Sequence, residues 1–353
     1  MPDALASLLQ WYDRHARDLP WRRSRDPYHI WVSEVMLQQT RVETVLPYYQ
    51  RFLAAFPTVQ DLAAAPVDDL LALWSGLGYY RRARQMHAAA QRIAAAGGAF
   101  PGTVEALQEL PGIGSYTAAA VASIAFGVAV PVLDGNVERV LARVLALAPE
   151  AKSSAGRQAL LAAAHGLLSA ERPGDSNQAL MELGATICLP RRPGCGECPL
   201  AAGCQGRQAG DPERFPVRRP RRASQRIERL VAVATDNDRV LLFRRSEDSA
   251  LLAGTWELPW LDAPSTSLAP VSLAAVEGAL AERYGGRWQL GAVRATVRHA
   301  ITFRALTVTA HEARVVWGGQ VAEGPEAGWF NAREREALPL SSLVDKILRK
   351  LGR

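Results

Sequence analysis

Outside one stretch of seventeen residues this 353-residue chain has no cysteine; all four lie between Cys188 and Cys204, in CLPRRPGCGECPLAAGC. At 48% hydrophobic and 22% charged, a chain this long can bury its own cores, so it is neither disordered nor a small secreted domain that needs a spread framework of disulfides. Clustered thiols in such a chain favour a reducing compartment and metal ligation. The N-terminus MPDALASLLQWYDRH has no basic segment followed by an apolar one, so nothing there reads as a signal peptide. Long hydrophobic runs are missing too. The longest, AAAVASIAFGVAVPVL at 118–133, falls short of a membrane span and is broken by Gly127 and Pro131, which predicts a buried helix followed by a turn. Beyond alanine enrichment there is no repeat or low-complexity tract. These absences lead us to expect a cytoplasmic protein without a membrane partner.

What is present divides the chain in two. Residues 1–205 carry apolar residues at three- and four-residue spacing, and NVERVLARVLAL sets Val137, Val140, Leu141, Val144 and Leu145 on one helical stripe. Residues 206–228, rich in Arg, Pro and Gly and without periodicity, read as an exposed basic linker. Residues 229–353 alternate differently. RLVAVATDNDRVLLFRRS and VRHAITFRALTVTAHEARVVW each predict two strands around a turn, while SLAAVEGALAERYG and LSSLVDKILRKLG predict helices. The expected architecture is an all-α domain followed by a smaller α+β domain. A net charge of +6 suits a polyanionic partner without requiring one.

The cysteine spacing is C-x6-C-x2-C-x5-C. Four thiolates this close repel one another unless a cationic centre compensates them, and they could hold either a tetrahedral zinc or a cubane cluster. Spacing alone does not choose between these. The pattern resembles the iron–sulfur loop of the endonuclease III superfamily of DNA glycosylases, which implies a [4Fe–4S] cluster on Cys188, Cys195, Cys198 and Cys204. In that family the cluster is not the catalyst; it staples a loop, here carrying Arg191, Arg192 and Arg207, that faces phosphates. LPGIGSYTAAAVASIA gives a second signal, because Gly112 and Gly114 bracket a turn between two apolar helices and can expose a helix N-terminus to an anion. An ordinary helical hairpin would look the same, but the whole string resembles the superfamily's helix-hairpin-helix, which grips a backbone phosphate of double-stranded DNA.

Asp134, in VPVLDGNVERV, stands at the mouth of the striped helix as an expected N-cap. An ionised carboxylate at a cleft is also what an oxocarbenium-like sugar needs. In the superfamily the aspartate of this motif is catalytic, and Asn136 lies beside it. Glu34 sits among Trp31, Val32, Val35, Met36 and Leu37, which predicts a partly desolvated carboxyl with a raised pKa, although a lone Glu on a helix is usually solvated and the family resemblance is what decides. SEVMLQQT resembles the signature of adenine DNA glycosylases of the MutY type, in which this Glu is the general acid. Tyr116 stands where bifunctional relatives place a Schiff-base lysine, which implies a monofunctional enzyme that uses water. The same resemblance puts Gln39, Thr40, Leu77 and Tyr79 around the opposite base, wedged into the stack, and Trp21, Arg22 and Gln178 around the flipped adenine. Read alone, the GLGYY string around Leu77 and Tyr79 would be a helix-ending turn with core aromatics.

LLFRRSEDSALLAGTWELP resembles the Nudix-fold C-terminal domain of the same enzymes. The Nudix metal motif should fall at GALAERYG, where only Glu282 and Gly285 fit, so no pyrophosphatase activity is expected. The family reads 8-oxoguanine through a Phe-Ser-His loop after an Arg-His pair. Here Arg298 and His299 are followed by Ala300 and then Ile301, Thr302 and Phe303, so the loop keeps one hydroxyl and loses its His and its leading Phe. The resemblance as a whole implies a monomeric enzyme excising adenine from A:8-oxoguanine or A:G mispairs in DNA to leave an abasic site. Glu34 and Tyr116 argue against an endonuclease III-like pyrimidine glycosylase and lyase, and the two carboxylates argue against an idle DNA-binding protein.

Overall fold

The computed structural model describes residues 2–217, 223–246, 248–249, 252–262, 272–301, 303–316 and 327–353. By their contacts the residues form two units, Met1–Ala63 with Ala88–Pro220, and Ala64–His87 with Arg221–Arg353.

The first unit is helical. Its longer helices include Pro2–His15, Pro27–Leu37, Val42–Ala55, Ser115–Phe126, Gly135–Val144, Ser154–His165 and Pro173–Thr186. Several start at sequence-visible caps: Asp26 accepts from the Tyr28 N–H with Pro27 in the first turn, and Ser153 accepts from Gly156. The expected stripe is real, with Val137, Val140 and Leu141 buried against Leu8, Ala120, Leu160 and Leu183. The apolar run at 118–133 is a buried helix that stops at Phe126, where Gly127 takes the left-handed φ of 70°. The extended segment after it is pinned by buried Asn177, which accepts from the Val132 N–H at 3.0 Å and donates to the Val130 carbonyl at 2.9 Å. Residues 206–217, expected as part of an exposed linker, are mostly exposed but are anchored on this unit at two points. Gly206 lies so close to the Arg143 carbonyl that a Cβ would stand 2.7 Å from it, and Phe215 joins the core. Arg and Pro content concealed the two apolar anchors.

The second unit is built on a mixed sheet of β1 (Gln225–Asp236), β2 (Arg239–Arg244), β3 (Trp256–Glu257), β4 (Trp260–Asp262), β5 (Arg287–Ile301), β6 (Arg304–Val316) and β7 (Ala327–Phe330). The order is β3-β2-β1-β6-β5, with β4 also on β1 and β7 on β2; β1 and β6 run parallel and the other pairs antiparallel. The two expected hairpins are present, and the β1–β2 turn uses Asn237 at φ 55°, a residue that tolerates that region. One face packs Val231, Val297, Leu306 and Val308 against the helix Ser342–Lys350; the other packs Leu241, Trp288 and Leu290 against the helix Leu273–Tyr284. On edge strand β5, Lys346 and Lys350 donate to the carbonyls of Arg298 and Thr296. Residues 64–87 are helical in pattern yet belong here by contact, through the Asp68–Arg244 ion pair among other links. Among the described residues no helix is long and apolar enough to cross a membrane.

Candidate active site

The Pro27–Leu37 helix buries Trp31, Val32, Val35 and Met36, and Glu34 goes in with them at 6% exposure. Its carboxylate accepts a 2.5 Å hydrogen bond from the Tyr116 hydroxyl. Burial pushes the Glu34 carboxyl up to about 7; the Tyr116 bond pulls it down, the neighbouring Asp134 charge pushes it up, and Arg22 pulls it down. Tyr116 lies in the first turn of the Ser115–Phe126 helix and also approaches the Met181 sulfur at 3.3 Å. Burial, with Glu34 and Asp134 nearby, raises its phenol well above the usual range, so it remains a protonated donor. At physiological pH the buried acid is therefore poised between its two protonation states.

Asp134 caps the Gly135–Val144 helix, accepting from the Val137 N–H at 2.7 Å and from the Asn136 amide at 3.0 Å. Burial raises its pKa, while the bonds from Val137 and Asn136 and the charge of Arg139 oppose the rise. Desolvation outweighs these opposing contacts. Gly184 allows the Pro173–Thr186 helix to press on this cap, since a Cβ there would stand 2.6 Å from the Asn136 Cβ. Arg139 fixes the same corner, donating to Asn136 at 3.0 Å, to the Gly184 carbonyl at 2.7 Å and to the Cys188 carbonyl at 2.8 Å.

Of the residues expected around the adenine, Trp21 is buried edge-on against Tyr49 and Gln178 is half-buried on the Pro173–Thr186 helix. Arg22 reaches Glu182 at 2.7 Å, where Arg17 makes a bidentate pair at 2.7 and 2.9 Å. Burial alone would push the Glu182 carboxyl up; the two guanidiniums reverse that and hold it at about 2. Glu182, Arg17, Arg139 and Met181 escaped the sequence reading. Glu182 in an otherwise apolar helical stripe was the available signal. Gln39 is exposed at φ 58°, and Thr40 bonds back to the Gln38 carbonyl. Gly112 at φ 76° makes the turn that Gly114 ends as N-cap of the next helix, whose first-turn N–H groups have no carbonyl partner within the helix. Of the expected residues, the fold joins Tyr116 to Glu34 and Asn136 to Asp134 by hydrogen bonds, and Asp134 and Arg22 act on Glu34 through their charge.

Leu77, Tyr79 and His299 belong to the second unit. Tyr79 is 48% exposed at φ 51°, whereas Leu77, expected beside it as a wedge, is buried at 6%. The left-handed backbone at Gly76, Gly78 and Tyr79 turns the tyrosine out and the leucine in. His299 is half-buried, and burial with Lys346 and Arg229 nearby lowers its pKa, so it is neutral. Thr302 lies outside the described residues; Ile301 ends β5 beside it.

Cys188, Cys195, Cys198 and Cys204 line one open pocket, walled by Val140, Val144 and Ile187. Burial pushes the Cys198 thiol up to about 11 and raises Cys188 as well, which favours the neutral form of these two until a cationic centre binds. Buried Arg143 closes the loop, donating to Cys188 Sγ at 3.3 Å and to the carbonyls of Leu189, Pro190 and Phe215. Among the described residues no three His, Cys, Asp or Glu side chains converge on a single-ion site. Four cysteines lining one pocket are a donor set that fits an iron–sulfur cluster.

Residues 32–163 match the HhH-GPD superfamily base excision DNA repair protein model, and residues 230–350 match the NUDIX domain model. Among solved structures, a thermostable thymine-DNA glycosylase superposes with a TM-score of 0.54 at 30% identity, over 58% of this chain and 95% of that one. Endonuclease III trapped in a covalent intermediate with DNA gives 0.50 at 23% identity, over 59% and 95%, which shows the shared fold. Fold and site together define a helix-hairpin-helix base excision repair protein carrying a Nudix-type domain. The adenine DNA glycosylase of Homo sapiens is 37% identical over 97% of this chain and 73% of its own length, and that of Mus musculus 36% over 98% and 77%. The chain belongs to the adenine DNA glycosylase family.

Proposed function

We propose that this enzyme excises adenine mispaired with 8-oxoguanine or guanine in double-stranded DNA and leaves an abasic site. The observation that carries the reading is Glu34, buried, hydrogen-bonded by Tyr116 and pushed up to about 7 beside the capping carboxylate of Asp134. Adenine leaves poorly as an anion and better once protonated at N7, which needs an acid that still holds its proton near neutrality. With the adenine flipped out, Glu34 gives N7 its proton, the C1′–N9 bond breaks, and the oxocarbenium that forms is stabilised by ionised Asp134. Glu34, now a carboxylate, takes a proton from the water that attacks C1′. Tyr116 has no amine to form a Schiff base, so the product strand stays intact at this step. Gly112 and Gly114 present backbone N–H groups to a phosphate, Gln39, Thr40 and Tyr79 attend the opposite base, and Trp21, Arg22 and Gln178 attend the adenine.

The four cysteines hold a [4Fe–4S] cluster whose contribution is to cross-link residues 188–204. Anaerobically prepared protein should contain about four irons and four sulfides per chain, and stoichiometric zinc without sulfide would reject the cluster. The protein acts as a cytoplasmic monomer. The deciding experiment is single-turnover excision from duplexes containing A:8-oxoguanine, A:G and A:T, with wild type beside Glu34→Gln. Release of adenine from the first two by wild type, lost in the variant with DNA binding retained, is the expected result. Release of a damaged pyrimidine, or a borohydride-trapped adduct formed as fast as excision, would overturn it.

A further inference from the structure

The turn Trp74–Tyr80 has three left-handed residues, Gly76 at φ 96°, Gly78 at 70° and Tyr79 at 51°, a state that a tyrosine keeps only where its surroundings impose it. Trp74 Nε1 donates from within the turn to the Gly78 carbonyl at 3.1 Å, and Arg82, in the helix that follows, donates to Gly78 and Leu77 at 3.2 and 3.3 Å. Both ends of the turn then reach one acceptor. The buried Tyr80 hydroxyl donates to the Leu340 carbonyl at 2.5 Å, and Ser75 Oγ donates to the same oxygen at 3.3 Å.

Leu340 is itself well anchored. It bridges Trp256, whose N–H donates to the Pro339 carbonyl at 3.0 Å, and it precedes Ser341, the N-cap of the Ser342–Lys350 helix. That helix packs Leu343, Val344, Ile347 and Leu348 into the core it shares with β5 and β6. Its Lys346 donates to the Arg298 carbonyl at 2.7 Å and its Lys350 to Thr296 at 2.6 Å. Arg298 and His299 lead straight into the altered loop at 301–303. One short helix therefore holds the strand that carries that loop and, at its start, the oxygen to which the Tyr79 turn is tied.

We infer that Tyr80 and Ser75 are specificity-positioning residues that fix the exposed Tyr79 ring to the helix bracing β5, so that the turn and the second-domain loop address the base opposite adenine as one element. The inference rests on the proposal that the second domain reads that base. A packed helix moves as a body, so a shift at β5 reaches Leu340 with little loss, and two hydroxyl donors on one carbonyl carry it to both ends of the turn.

The test uses the full-length protein as Tyr80→Phe, Ser75→Ala, Lys346→Met and the Tyr80→Phe/Lys346→Met double variant. Single-turnover excision is measured on A:8-oxoguanine and A:G duplexes, with hydrogen exchange of the peptide spanning residues 74–80 in the free protein. Tyr80→Phe and Lys346→Met should each lower the ratio of the two rates about three- to tenfold, through the 8-oxoguanine duplex, leaving the A:G rate within about twofold. Both should speed exchange in the turn, and the double variant should be no worse than the poorer single one, because both cut the same connection. A purely structural role would lower both rates together. Parallel loss, multiplying effects in the double variant, or unchanged turn exchange each overturn the inference. If Tyr80→Phe fails to fold, Ser75→Ala tests the same carbonyl. No excision by wild type from either duplex would reject the adenine-glycosylase reading itself, and a wild-type ratio of about one would reject opposite-base reading and this inference with it.

Discussion

Tyr116 donates its hydroxyl proton to the Glu34 carboxylate across 2.5 Å, joining the first turn of one helix to the buried face of another. A hydrogen bond donated to a carboxylate favours the charged form, so removing it must raise the acid's pKa. In Tyr116→Phe the alkaline limb of the excision profile, expected near pH 7 in wild type from the raised Glu34, should move to higher pH. The plateau rate should fall as the carboxyl loses its orientation. A limb that stays in place would mean that Glu34 is not the titrating acid.

Glu34 also makes stability depend on pH. Its folded pKa of about 7 exceeds the ordinary 4.5, so the folded state retains the proton longer. Its contribution is fully present below about pH 4.5, declines as pH rises to about 7 and is flat beyond. At about 1.36 kcal/mol per pH unit this is on the order of 3 kcal/mol as an upper figure. Glu34→Gln should therefore unfold at higher urea than wild type at pH 8 and at nearly the same urea at pH 4.5, while losing excision. Equal destabilisation at both pH values would place Glu34 among ordinary core contacts.

For Glu182 the sign is opposite. Arg17 and Arg22 hold it at about 2, so its stabilisation is present above about pH 4.5 and lost as pH falls towards 2. Removing one partner of a buried pair leaves guanidiniums without their anion, which costs about 3–5 kcal/mol where burial is complete. Glu182→Gln should lose most of that range in urea unfolding at pH 7 and much less at pH 3. It also frees Arg22, whose charge already bears on Glu34, so excision should weaken beyond what the stability loss explains.

The loop at 301–303 lacks the family's His and leading Phe. One lost hydrogen bond of about 0.5–1.5 kcal/mol corresponds to about two- to tenfold. Ile301→Phe with Phe303→His should raise the preference for 8-oxoguanine over guanine by about that factor, chiefly in affinity for the damaged duplex. An unchanged preference would move lesion reading away from the loop.

The features legible in the sequence are those that local spacing encodes. Five apolar neighbours point to a partly desolvated Glu34, with the SEVMLQQT signature deciding against a solvated one, and Asp134 reads as a cap because the stripe begins just after it. The hairpins of the second domain declared themselves by alternation and turn residues. What stayed hidden depends on partners far along the chain. Glu182 meets Arg17 across 165 positions, Tyr80 meets Leu340 across 260, and Phe215 finds the helical core from within an arginine- and proline-rich segment. Leu77 and Tyr79 differ in exposure because of backbone φ at Gly76 and Gly78, which composition does not fix.

The lysines on the last helix have a further consequence, for encounters between copies of this chain. A sheet that ends in a long, two-faced strand offers bare carbonyls to any second strand, and edge-to-edge pairing is how such proteins clump. Here two of those carbonyls, at Thr296 and Arg298, are already taken by ammonium groups. A second copy would have to strip off both cations and press like charges together before its first inter-strand bond formed.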